Sequence, residues 1–252
     1  MKISLIFAFT FLVISSCQVT NSLSEPDREM QLESVSVQES TTAEDITYIE
    51  AIPENVWEYM ITKSSFRENV IINEQTLIFM NNHIKDLDKF NSYLNKSYYF
   101  IYYVIQELEA ADLPVELALI PFIESNYDPF SISPSGAVGL WQFMPRTGRL
   151  FDLEKSWWSE DRHDPFRSTH AAIGYFKYLF ERFDNDIYLA LAAYNAGPTY
   201  LDKQIRKNKR KGLETDFWSL SLNDQVTNYI PKYVAIRELV FNSEKYGITL
   251  PE

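Results

Sequence analysis

Residues 121–145, "PFIESNYDPFSISPSGAVGLWQFMP", decide how this chain is read. An apolar run, Leu117 to Ile123, ends in a carboxylate, Glu124, and then breaks into Ser, Pro and Gly. No alternation of apolar and polar residues follows. The stretch therefore predicts a helix end and a loop, with at most a short β-turn region over 131–139. A Glu beside Phe122 and Ile123 risks costly desolvation, and chains usually keep Glu in water. Either Glu124 turns outward at a helix end, or it sits where burial raises its pKa.

The flanks are helical. Over 75–114 the residues Leu77, Met80, His83 or Ile84, Leu87, Phe90 and Leu94 recur at spacings of three and four. The apolar-aromatic run from Tyr98 to Ile105 is too short for a membrane span and reads as core. Pro114 opens "PVELALIPFIE", a helix that Pro121 bends or shortens. In "DPFRSTHAAIGYFKYLFERF", Asp164 is the N-cap and Pro165 the first helical residue. Ala172, Phe176, Leu179 and Phe183 form its apolar stripe, widened by Ile173 and Phe180. "DIYLALAAYNAGPTYL" is a small-residue helix stopped at Asn195-Ala196-Gly197-Pro198. A last long helix, "NDQVTNYIPKYVAIRELVF", carries Pro231. The expected fold class is all-α, or nearly so.

The N-terminal part reads differently. Lys2 and the largely apolar run from Ile3 to Ile14 fall short of the roughly 20 residues needed to span a bilayer, so they form a signal peptide. "ISSC", residues 14–17, resembles a bacterial lipobox, whose Cys becomes a lipidated first residue. Cys17 is the chain's only cysteine, which excludes an intramolecular disulfide. By the same resemblance, Gln18 in place of Asp after it implies outer-membrane sorting in a Gram-negative host, so the expected location is the cell envelope, lipid-anchored and facing the periplasm. Residues 18–52 are rich in Ser, Thr and Glu, and that composition is expected of a disordered tether. Between Ser24 and Asn55, nine acids face one base, which supplies −8 of the formal charge of −12. The remainder is only mildly acidic, so net charge does not choose a partner for it.

Four short stretches now align: Glu124-Ser125, Gly139-Leu140-Trp141-Gln142, Ala193-Tyr194-Asn195, and Tyr229. With the flanks "LPVELALIPFIESNYDP", "SGAVGLWQFMPRTGRLF", "DPFRSTHAAIGYFKYL", "LALAAYNAGPTYL" and "NYIPKYVA", the chain resembles the lytic transglycosylases of the soluble-lytic-transglycosylase type. The membrane-bound D branch is the nearest. The likeness runs from about Val56 to Phe241. It implies a lysozyme-like helical catalytic domain over 111–245, preceded by a helical region over 53–110 and followed by a tail over 246–252. It also implies cleavage of the β-1,4 bond from N-acetylmuramic acid to N-acetylglucosamine in peptidoglycan, leaving 1,6-anhydromuramic ends without a cofactor.

Chemistry agrees with that implication. Breaking a glycosidic bond needs an acid that still holds its proton near neutral pH, and burial raises a carboxyl pKa. Lysozyme keeps its own catalytic acid protonated by the same device. Glu124 is the candidate acid/base. A second carboxylate would be the usual partner, and the nearest, Asp128, also reads as a turn initiator before Pro129. The family implies that the muramic C6 hydroxyl does that work instead. Ser125, Gln142, Tyr194 and Asn195 are the candidates for substrate binding or positioning. By resemblance, Tyr229 places the catalytic carboxylate. Gly136 and Gly139 let backbone approach a sugar, while Trp141 and Met144 line the cleft or belong to the core.

Two other readings remain open at this level: a muramidase of goose-lysozyme type, and a glycan-binding lipoprotein without turnover. Six bases between Lys203 and Lys211 read as a solvated helix or as a contact for anionic peptidoglycan stems or lipid headgroups. No aromatics interleave with them, so nucleic acid is not expected. His83, His163 and His170 lie apart without ligand spacing, and no metal is expected. D-branch relatives often carry C-terminal wall-binding repeats, whereas this sequence ends at Glu252. Wall affinity is then expected from the cleft, the lipid anchor or a partner protein.

Overall fold

The computed structural model describes residues 55–65 and 70–251. Cys17, the leader and the whole tether over 18–52 lie outside them. Among the described residues the secondary structure is helical, relieved only by isolated β-bridges: Ile132 to Val138, Val138 to Phe143, and Lys155 to Glu160. The all-α expectation holds. No described helix is long and apolar enough to cross a membrane.

The helices follow their caps and breakers. α1 (Val56–Lys63) starts at Asn55, whose side chain accepts from the Trp57 and Glu58 amides. The periodic run over 75–97 divides into α2 (Glu74–Ile84) and α3 (Leu87–Ser97), because Asp86 caps the second helix by accepting from the Lys89 amide. Met80, Phe90 and Leu94 are buried as expected, but Leu77 is exposed. In the run read as core, Tyr98 and Tyr99 are exposed as well. Ile101, Val104 and Ile105 of α4 (Ile101–Ala110) are the buried part.

The helix expected from Pro114 is two pieces, a 3-10 turn (Val115–Leu119) followed by α5 (Ile120–Glu124). Pro121 falls in the first turn of α5, where its missing N–H costs nothing, so it starts a helix instead of bending one. Beyond α6 (Pro145–Leu150), α7 (Pro165–Arg182) begins as read: Asp164 accepts from the Phe166 and Arg167 amides and Pro165 is its first residue. α8 (Ile187–Ala196) stops at Gly197, whose φ of 84° suits glycine, and α9 (Pro198–Arg210) follows at once. The last long helix is divided at Asn228 into α10 (Asp224–Thr227) and α11 (Tyr229–Phe241).

Two helices carry the centre. α8 is buried from Leu189 to Ala193, and its alanines let α7, α9 and α11 approach closely. α11 is buried on nearly every side, between α2 and α8. A helix apolar all round belongs in a core. Both matter for the site, because the end of α8 and the start of α11 face the end of α5 through side chains described below.

Candidate active site

Glu124 is the last residue of α5, and the chain turns sharply after it. The amides of Ser125 and Tyr127 both return to the Pro121 carbonyl, at 2.9 and 3.1 Å. Asn126 and Tyr127 adopt left-handed backbone conformations, with φ of 53° and 59°. For a bulky residue such as Tyr127 this is costly. It is held there by its hydroxyl, which donates to the Ala118 carbonyl at 2.7 Å, and by its ring against Phe122. The strained turn ends the helix on the carboxylate instead of letting it wind on into solvent.

Glu124 is half-buried, and burial pushes its carboxyl up to about 7 from the ordinary 4.5. Two weaker influences oppose this: the Tyr229 hydroxyl, which donates to Oε1 at 2.5 Å, and the positive charge of Lys232. Desolvation wins. Tyr229 is buried at the first turn of α11, and its own hydroxyl is pushed well above the usual tyrosine range by burial and the nearby carboxylate.

The opposite wall is a four-residue loop, 139–142, closed by paired backbone bonds between Val138 and Phe143 at 3.1 Å. Adjacent carbonyls of this loop are taken from two sides. Ser125 Oγ donates to the Leu140 carbonyl at 2.8 Å, and the Tyr194 hydroxyl donates to the Trp141 carbonyl at 2.7 Å. Thus α5 and α8 are fastened to neighbouring peptide units. Gln142, at φ 49°, spends its amide hydrogens on the Gly139 and Ser131 carbonyls at 2.8 and 3.2 Å. What it can offer a ligand is its amide oxygen.

Between these walls lies a cavity of about 550 Å³ lined by Glu124, Gln142, Tyr194 and Asn195, together with Ser133, Ser135, Phe143, Met144, Thr147, Tyr175 and Gln225. Glu124 is the only carboxylate among its lining residues. Such a concave site, with aromatic walls and a few polar groups around one perturbed acid, suits a neutral polar ligand such as a sugar chain.

Residues 102–217 match the family model of the transglycosylase SLT domain. These residues form an SLT domain. The chain is 38% identical over 152 residues to the membrane-bound lytic murein transglycosylase D of Escherichia coli, covering 60% of this chain and 34% of that protein. It is 40% identical over 112 residues to a putative tributyltin chloride resistance protein of an Alteromonas species, covering 44% and 54%. The chain thus spans about a third to a half of the length of these relatives. The solved structure of a Pseudomonas aeruginosa lytic transglycosylase aligns with a TM-score of 0.43 and 22% identity over 58% of this chain and 24% of its own.

The geometry sorts the candidate residues. Glu124, Gln142, Tyr194 and Asn195 come together on the cavity, and Tyr229 reaches it through Glu124. Ser125 is buried and bonded to backbone, where it holds the loop, and it is not among the cavity's lining residues. Asn195 accepts from Gln225 at 3.5 Å. Asp128 turns away: its Oδ1 accepts from the Phe130 amide at 2.9 Å, and Lys96 lies 3.9 Å from Oδ2. Met144 lines the cavity whereas Trp141 is wholly buried, its indole donating to Thr169 at 3.0 Å. The three histidines have separate partners, and no described cluster of His, Cys, Asp and Glu could hold a metal ion.

Gly139 differs from the expectation that it admits a sugar. A Cβ there would fall 1.7 Å from the Arg162 carbonyl oxygen, so the close neighbour is backbone of the SLT domain itself. Arg162 was not legible as a site residue. It is 4% exposed, forks onto Glu160 at 2.7 and 2.9 Å, and donates to the Phe143 and Gly136 carbonyls at 2.7 and 3.0 Å. It thereby clamps both ends of the 136–143 loop. Tyr175 was missed too, because it lies within the apolar stripe of α7 and has no local mark of facing a cavity.

Proposed function

We propose that the SLT domain is a peptidoglycan lytic transglycosylase, with Glu124 as its single acid/base. The observation that carries this reading is one sheltered carboxyl, protonated in part at neutral pH, alone among the residues lining a cavity of glycan-accepting size. Tyr229 occupies Oε1, which leaves Oε2 to carry the proton. That proton goes to the glycosidic oxygen as its bond to muramic C1 breaks. The resulting carboxylate takes the proton of the muramic C6 hydroxyl while O6 bonds to C1. The products are a free 4-hydroxyl and a 1,6-anhydro ring; no water enters. An internal nucleophile carries the advantage of proximity, and no second carboxylate is needed.

Sacculi digested by wild type and by Glu124→Gln test this by mass spectrometry. Anhydro-muropeptides from the wild type only are expected. Products heavier by one water would instead mean hydrolysis, and binding without turnover would mean a glycan-binding protein.

The relatives named membrane-bound favour an envelope location. Within the proposal, Cys17 carries the lipid and holds the chain at the outer membrane, facing the periplasm. Membrane fractionation checks this: Cys17→Ala is expected to move the protein to the soluble fraction, and a wild type already soluble would overturn the anchor.

A further inference from the structure

α9 leaves the cavity wall at Gly197 and carries an unusual charge pattern. Lys203, Arg206, Lys207 and Arg210 recur at the i, i+3, i+4, i+7 positions of one helix face, and all are exposed. Leu201 and Asn208 are buried on the other side, with Ile205 half-buried between them. None of the four makes an ion pair among the described residues. The acid on the same helix, Asp202, is already held by Arg182.

Like charges at this spacing repel, which weakens the helix that carries them. The helix dipole offsets bases only in the last turn, so it accounts for Lys207 and Arg210 but not for Lys203 and Arg206. The stripe is also rigid. Asn208 Nδ2 donates to the Glu214 and Ser219 carbonyls at 2.9 and 2.8 Å and pins the end of α9 to the loop that follows. At a rise of about 1.5 Å per residue, the four bases lie about 9 to about 20 Å along the axis from Gly197.

We infer that this face of α9 is an anion-binding rail that engages the carboxylates of peptidoglycan stem peptides while the glycan strand occupies the cavity. The inference rests on the proposed substrate and says which part of it the protein holds away from the reacting bond. Charge complementarity points to stems: a glycan strand is a neutral polar chain, and its stems bring the negative charge. A membrane surface fits less well, because the apolar residues of α9 are committed to the core and an interfacial helix needs an apolar face free to insert. Nucleic acid fits less well too, since no aromatic side chain interleaves with the bases for stacking.

The test compares wild type with the fourfold variant Lys203→Gln, Arg206→Gln, Lys207→Gln, Arg210→Gln. Each is sedimented with intact sacculi, with glycan strands stripped of stems by an amidase and with the lactyl carboxylates so exposed capped as neutral amides, and with phosphatidylglycerol vesicles. Wild-type retention on intact sacculi is expected to fall with salt. The variant is expected to bind them roughly tenfold more weakly, to match wild type on stripped strands, and to release product from those strands at the wild-type rate. A second variant, Lys203→Arg with Lys207→Arg, is expected to bind like wild type. Equal retention of wild type and fourfold variant on intact sacculi overturns the rail, as does an equal loss on stripped strands or a loss confined to vesicles. Stem-dependent binding by a wild type that makes no anhydro product would leave the rail standing and remove the enzyme. Product formation with stem-independent binding would remove the rail alone.

Discussion

The hydroxyl of Tyr229 donates to Glu124 at 2.5 Å, joining residues 105 positions apart and linking the start of α11 to the end of α5. The bond draws the carboxyl pKa downward while burial drives it up. In Tyr229→Phe that downward influence is lost, while burial and the weaker, opposite pull of Lys232 remain. The acid then holds its proton to higher pH, so the alkaline limb of the pH–rate profile moves upward. The side chain is also less well placed, and kcat is expected to fall by about ten- to a hundredfold. KM changes little, because Tyr229 does not line the cavity. A profile of kcat and kcat/KM against pH checks all three; an unmoved alkaline limb removes the assigned role of Tyr229.

A carboxyl whose pKa rises on folding stabilises the fold only while it is protonated. The unfolded chain gives up this proton near 4.5 and the folded one near 7. Stability is therefore fully present below 4.5 and is lost as pH climbs through about 7. The difference approaches about 3 kcal/mol as an upper figure. Glu124→Gln keeps the acceptor for Tyr229 and never ionises. It is expected to melt above wild type at pH 8 and together with it below pH 4.5. Equal melting temperatures at pH 8 would show that the carboxyl is not sheltered.

Gly136 and Gly139 share a φ near 85°, at 87° and 84°, yet they meet different surroundings. An added Cβ finds nothing within 4 Å at Gly136 and backbone oxygen at 1.7 Å at Gly139. Gly136→Ala is expected to cost about 1–2 kcal/mol for the left-handed conformation alone. Gly139→Ala should cost more than about 3 kcal/mol, because the Arg162 backbone has to move as well. Urea unfolding of the pair measures the gap, and similar midpoints would mean that the 139–162 approach is slack.

What was readable in the sequence was what short-range chemistry decides. The Asp164-Pro165 start of α7 and the Gly197 stop of α8 depend on caps and breakers that act on their neighbours. The helix divisions at Asp86 and Asn228 were harder to read, because an apolar period of three and four continues across them while the helix does not. The four stretches around Glu124, Gln142, Tyr194 and Tyr229 were legible together as a motif, although no local rule brings them to one cavity. Arg162 left no such mark. Its partners are carbonyls 19 and 26 residues away, and a backbone acceptor has no residue type to read. Tyr127 looked like ordinary loop filler, since nothing in its letter betrays a left-handed backbone.

The two carbonyls of Leu140 and Trp141, claimed by Ser125 and Tyr194, set how the groove can respond to what enters it. Neither flank can spread without pulling the same dipeptide, so the inner part behaves as a fixed jig rather than a closing hand. Adaptation to bulky ligands is left to Ser133, Ser135 and Met144, which line the cavity without such fastening to the opposite side. Under the proposed function, selection by size is thus decided at the doorway, before a strand reaches the acid.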